Sequence, residues 1–126
     1  MIAQIDMSKP EGHRNRAIIE MLYGSGLRVS ELTELRLSHI YRQEGYMRIL
    51  GKGSKQRLVP ISPVADEQFG HWLQDRSLLD IKPEYADIAF LNHYGRQLTR
   101  AMIFTIVKRL AEAAGIRKTI SPHTRA

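Results

Sequence analysis

Residues 24–31 read GSGLRVSE and set an arginine directly behind two glycines. Glycine costs about 1 kcal/mol against alanine inside a helix, so the pair should end any helix running into it. The run that follows, VSELTEL, is helix-forming and puts Arg28 at the first turn of a new helix. That end of a helix already carries roughly half a positive charge, so a cation is misplaced there on electrostatic grounds. An anion shared by the guanidinium and the free helix N–H groups would account for it. Glu31 follows three residues later and shares the helix face of Arg28, either as a surface ion pair or as a carboxylate that orients the arginine. Lys52 stands between Gly51 and Gly53, as an ordinary turn lysine or as a cation carried to a substrate. GKG is no P-loop, because the Walker spacing and the helix after the lysine are missing.

Composition narrows which anion is meant. The 126 residues suit one domain with a sizeable core, and 19 Lys and Arg against 13 Asp and Glu give a net charge of +6. The absence of cysteine excludes disulfides, thiol nucleophiles and thiolate zinc sites, and fits a reducing compartment. The five histidines show no metal-ligand spacing, and no acidic pair suggests a metal site. No signal peptide and no membrane-length apolar run are seen, so an intracellular, cytoplasmic domain without membrane contact is expected. Charge is segregated along the chain: residues 1–41 sum to zero, 42–61 to +4, 62–95 to −4 and 96–126 to +6. Two basic segments sharing one face would suit a polyanion, although an ordinary solvated surface fits charge alone equally well.

The elements that must position these residues follow from periodicity. Ala17, Ile18, Met21 and Leu22 keep helical spacing between about Glu11 and Gly24, and Val29, Leu32 and Leu35 do so after Arg28. YMRIL and RLVPI read as two strands of a hairpin whose tip holds GKGSKQ. Ser62-Pro63 starts a helix that turns Phe69, Trp72 and Leu73 inward. After the apolar run IAFL, Thr99 caps a helix with Ile103, Ile106, Val107, Leu110, Ala111 and Ala114 on one side, and Gly115 stops it. Tyr23 falls among core residues. The domain reads as mainly helical with one hairpin.

Taken together, RNRAIIEMLYGSGLRVSELTELRLSHI, GKGSKQRLVPIS and AAGI…SPHT, in that order from about Glu11 to His123, resemble the catalytic domain of tyrosine recombinases, in particular the bacterial Xer type. The resemblance implies an α+β fold, mainly helical, with helices packed around a small hairpin or sheet. It assigns Arg28 as the first catalytic arginine, Glu31 as the acid of the Arg-x-x-Glu motif, Lys52 as the hairpin lysine, and His123 as the histidine opening the His-x-x-Arg motif. Lys55, Arg57 and Arg100 are assigned to DNA binding. Such enzymes cut duplex DNA with a tyrosine hydroxyl, form a 3′-phosphotyrosine and release a 5′-hydroxyl, with no metal or cofactor. They work as tetramers on two duplexes, and the Xer wording favours a role in chromosome segregation over integration or inversion.

The sequence departs from that pattern at its end. The second arginine of the motif is due at the position of Ala126, while Arg125 stands one residue early. Tyr23, Tyr41, Tyr46, Tyr85 and Tyr94 all precede His123, so none is the nucleophile that the resemblance implies. His39 stands where the family often has an acid. Residues 1–126 are therefore expected to form a single domain: the amino-terminal part of a catalytic domain, without the core-binding domain and the tyrosine segment. That piece should bind DNA as a monomer without cutting it. The alternative is a non-catalytic DNA-binding module derived from a recombinase, in which Arg28, Lys52 and Lys55 only grip phosphates. An RNA-binding role has little support, since the few aromatics form no stacking platform.

Overall fold

Ala17, Ile18, Met21 and Leu22 all point one way from the first helical segment, and all four are buried. In the computed structural model, which describes residues 10–51, 53 and 55–113, that segment is α1 (Pro10–Ile19) continuing as a π-turn over Glu20–Gly24. The widened turn is where the sequence expected plain α-helix up to Gly24. It closes with the Leu27 N–H donating to the Met21 carbonyl at 3.1 Å, and Leu27 is drawn into the core. Gly26, at φ 74°, turns the chain out of the helix in a conformation that a side chain disfavours. The expected second helix is short: α2 spans Val29–Thr33, and Leu35 lies beyond it yet stays buried.

The hairpin is β2 (Tyr46–Leu50) and β3 (Gln56–Pro60), joined by an antiparallel ladder from Tyr46↔Pro60 to Leu50↔Gln56. A two-residue strand that the sequence pattern does not signal, β1 (Ile40–Tyr41), pairs with β2 and completes a three-stranded sheet in the order β1-β2-β3. Met47, Ile49 and Val59 are buried on the inner face. The outer face carries Leu58, which is 65% exposed. This is the side-chain alternation of a sheet packed on one side.

Helix α3 (Pro63–Arg76) begins as expected: the Ser62 hydroxyl accepts from the Ala65 N–H at 3.1 Å, and Pro63 takes the first turn. It packs along α1 and buries Phe69 and Trp72. The IAFL run forms no strand of its own. It lies against the segment after α2, with the Ala89 N–H donating to Leu35 O at 2.8 Å and the Leu37 N–H to Asp87 O at 2.7 Å. Phe90 meets Phe69 edge-to-face at 5.7 Å and stacks with Trp72, whose indole N–H donates to Ala89 O at 2.9 Å. Arg76, itself buried, donates to the carbonyls of Ala86 and Ile88, both at 2.8 Å. Helix α4 (Arg100–Ala113) is capped by the Thr99 hydroxyl, which accepts from Met102 N–H at 3.2 Å, and turns Ile103, Val107 and Ala111 inward. The expected stop at Ala114 and Gly115 lies outside the described residues. Among those residues no helix is long and apolar enough to cross a membrane.

Before α4 the chain turns tightly at Gly95 (φ 74°), where an added Cβ would come within 2.2 Å of the Asp80 carbonyl oxygen. Backbone stands on both sides of that clash, so little can move aside. Gly95→Ala is expected to lower folding stability by about 1–3 kcal/mol or more, combining positive-φ strain with overpacking. Thermal melts of the two proteins check it; a melting point unchanged by the substitution would mean that the turn adapts.

Candidate functional site

Four local decisions build the site. The glycines end the first helix, Gly26 reverses the chain, Leu27 anchors it in the core, and Arg28 follows as the residue that caps α2. Arg28 has extended backbone geometry (φ −80°, ψ 156°) and an exposed side chain. Its N–H does not wait for an external anion. It donates to Glu31 Oε1 at 2.8 Å, so the acid three residues on closes the helix start from inside the protein. Glu31 thus takes the N–H of the capping residue itself, ahead of the five residues of α2.

Glu31 is the centre of the arrangement. Its side chain is 7% exposed, yet it carries a charge. Arg57 satisfies that charge with a two-pronged ion pair: Nη2 donates to Oε1 at 2.9 Å, and Nη1 donates to Oε2. Arg57 reaches it because Ile49↔Arg57 and Met47↔Val59 are ladder partners two residues apart, so Arg57 shares the inner face of the sheet. Burial alone would raise the Glu31 carboxyl above its usual range. The Arg57 and Arg28 hydrogen bonds and the charges of both arginines outweigh it and hold the group below that range. Glu31 in turn keeps the Arg57 guanidinium more basic than usual.

The structure therefore joins Arg28, Glu31 and Arg57 in one cluster. Arg57, expected from the sequence to be a DNA contact, gives two of its donors to Glu31 while its side chain stays 45% exposed, and the period of two through the buried Val59 was the available signal for the pairing. No ion pair to the Arg28 guanidinium is made by any described residue. Lys55 is exposed at the base of the hairpin tip, where its carbonyl accepts from the Gly51 N–H at 2.7 Å. Arg100 is exposed at the start of α4 and makes no described contact with the cluster. Lys52, His123, Arg125 and Ala126 lie outside the described residues.

Two further cations, not singled out by the sequence pattern, stand nearby. Arg36 and Arg48 line an open groove of 270 Å³ together with Glu31, Glu34, His39 and Leu50. Arg48 is legible in hindsight from the +4 segment, whereas Arg36 comes from a segment of zero net charge. His39 is held less basic than usual by burial and by the charge of Arg48, against the pull of Asp87. Asp87 is held below the usual carboxylate range chiefly by the Ser38 hydroxyl, which donates to it at 2.6 Å. Among the described residues no group of three His, Asp or Glu side chains is arranged to hold a metal ion.

The site is thus an exposed arginine set beside a buried carboxylate on a helical α+β scaffold. The chain matches the model of the phage integrase family over residues 1–125, and it belongs to that family. It is similar to the tyrosine recombinases XerD of Listeria innocua (38% identity) and Lacticaseibacillus casei (40% identity), in each case over 98% of this chain. The chain spans 42% of the length of these curated relatives. Among solved structures it resembles XerH recombinase bound to palindromic difH substrate in a post-cleavage complex, with TM-score 0.81 and 31% identity over 97% of this chain and 35% of that one. XerA recombinase, at 24% identity and TM-score 0.81 over 97% of this chain and 44% of that one, shares the fold.

The lowered Glu31 carboxyl fixes the sign of a pH effect. A group whose folded value lies below its unfolded one stabilises the fold above the ordinary carboxylate range, about pH 4.3, and loses that contribution as pH falls through the folded value. Glu31→Gln keeps an oxygen for the Arg28 N–H but loses the ion pair. It should melt earlier than the native chain at pH 7, by an amount equivalent to about 1–3 kcal/mol, and the gap should narrow progressively as pH falls below the ordinary carboxylate range. A gap independent of pH would remove the charge of Glu31 from the stability of the site.

Proposed function

We propose that this chain supplies the arginine-bearing part of a tyrosine recombinase catalytic site that acts on double-stranded DNA. The observation that carries the reading is the exposed guanidinium of Arg28, free of ion pairs with described residues, beside a carboxylate whose charge is already held by Arg57. Family membership supports a phosphodiester as the anion, and so does the likeness to XerH recombinase, a protein seen bound to its difH substrate after cleavage. In this reading Arg28 donates a two-pronged hydrogen bond to the non-bridging oxygens of the scissile phosphate, where negative charge grows in the transition state. Lys52 protonates the departing 5′-oxygen, a poor leaving group without help, and His123 shares the proton of the attacking tyrosine. The phosphotyrosine stores the bond energy, so rejoining needs no external energy source. Lys55, Arg100, Arg36 and Arg48 hold the flanking backbone. The whole recombinase would work in the cytoplasm as a tetramer on two duplexes, with chromosome segregation as the role that the Xer likeness favours, while residues 1–126 alone bind as a monomer.

Two measurements test this. Duplex DNA binding by the 126-residue chain should weaken steeply with salt, by about 0.9 log units per phosphate contact per log unit of salt; salt-independent binding would overturn the reading. The second uses residues 1–126 joined to a carboxy-terminal segment bearing the tyrosine. There Arg28→Lys should cost about 2–4 kcal/mol of transition-state stabilisation in single-turnover cleavage, because an ammonium lacks the planar fork, and DNA affinity should change little. Normal cleavage by a variant that melts early would make Arg28 a structural residue.

A further inference from the structure

We infer that Arg57 is a positioning residue: it holds the charge of Glu31 and thereby keeps the guanidinium of Arg28 open for an anion. The inference rests on the anion-handling role proposed for Arg28 and adds the reason that this arginine is available. Glu31 Oε1 accepts from both the Arg28 N–H (2.8 Å) and Arg57 Nη2 (2.9 Å), and Oε2 accepts from Arg57 Nη1. Three of the roughly four lone-pair positions of the carboxylate are thus filled, two of them by one cation. A carboxylate with a side chain only 7% exposed requires a countercharge. Two arginines carry charge close enough to act on it, Arg57 and Arg28.

Which arginine pairs with Glu31 decides the state of the site. Arg28 caps α2 and Glu31 is the third residue of the helix, so the two stand close enough for the carboxylate to reach the Arg28 N–H. In the structure they do not pair through side chains, since Glu31 takes only the backbone N–H of Arg28 while its charge goes to the sheet. Arg57 wins because its strand face aims it inward and its fork spans both oxygens. Without Arg57, the remaining cation would turn onto Glu31, and the donors meant for a phosphate would be spent within the protein. Arg57 thus acts through Glu31, to which it gives one donor from each end of its fork.

The test compares the native 126-residue chain with Arg57→Gln and with the double variant Glu31→Gln/Arg57→Gln. A glutamine in place of Glu31 still offers an oxygen to the Arg28 N–H but no charge. Nitrogen-15 NMR of the arginine Nε–H groups, in low-salt buffer free of phosphate, reads the pairing directly. The Arg28 signal should report an unpaired guanidinium in the native chain, a paired one in Arg57→Gln, and an unpaired one again in the double variant. An Arg28 signal unchanged between the native chain and Arg57→Gln overturns the inference. Duplex DNA then reads the consequence. Arg57→Gln should lower the salt slope by about 0.9, the loss of one phosphate contact, and the double variant should restore it. The double variant also relieves the unpaired charge that destabilises Arg57→Gln, so slopes are compared below the melting transition of each protein, where all are folded. A double variant that keeps the shallow slope overturns the inference, because Arg57 would then itself be a phosphate contact. If Arg57→Gln fails to fold, the native chain and the double variant decide: equal slopes support the inference, and a double variant shallower by about 0.9 overturns it. If no protein shows a salt slope, the DNA reading fails while the NMR comparison still tests the pairing.

Discussion

A buried carboxylate must have its charge met, and the part of this protein built around Glu31 follows from that requirement. Leaving such a group unpaired would cost several kcal/mol, more than most single contacts supply. The cost is avoided by bringing a strand and a helix start together: β3 delivers Arg57 from its inner face, and α2 delivers the Arg28 N–H. The ladder register is therefore tied to the site. A slip of one residue would send Arg57 to the outer face now held by Leu58 and strand the carboxylate. The hydrophobic pattern specifies the same register through Met47, Ile49 and Val59, so packing and electrostatics agree on one arrangement.

Several arginines that count toward the net charge are not free cations. Arg76 is spent on the carbonyls of Ala86 and Ile88, which it holds against α3. Arg14 is buried and donates to Leu91 O at 3.4 Å and to the Asn15 side chain. Arg42 pairs with Asp66 at 2.6 Å and lies over the Phe69 ring. With Arg57 also paired, two of the five cations in the +4 segment are tied to carboxylates. Summed charge thus overstates the number of cations that this segment leaves free. The groove beside the cluster gathers Arg48 from the +4 segment and Arg36 from a segment of zero net charge, which a segment sum does not mark.

Much of the fold was legible because strong local rules agreed with tertiary packing. Ser62 and Pro63 marked the start of α3, Thr99 that of α4, and alternation in YMRIL and RLVPI gave the hairpin. What escaped were features set by context. The two-residue β1 has no periodicity of its own and exists because β2 offers it a partner. The π-turn depends on where Leu27 finds room in the core, which composition does not encode. In the site, Arg28 and Glu31 were legible from spacing and Arg57 from strand parity, but the choice of which arginine pairs with Glu31 is a contest between strand and helix. Spacing along one element describes only one side of that contest.

The shortness of α2 gives the site its chemical character. A long helix would meet an anion with aligned peptide dipoles and several free N–H groups. Five residues sum to a weak dipole, and Glu31 holds the N–H of the residue that caps them. With so weak a dipole, an anion bound here relies chiefly on side chains, which favours arginine, since its fork spans two oxygens and stays charged at every working pH. Side chains can be moved or competed for, while backbone dipoles cannot. A site built on them needs its neighbours to hold competing charges in place, and the inward-facing cation on β3 does this for the carboxylate nearest Arg28.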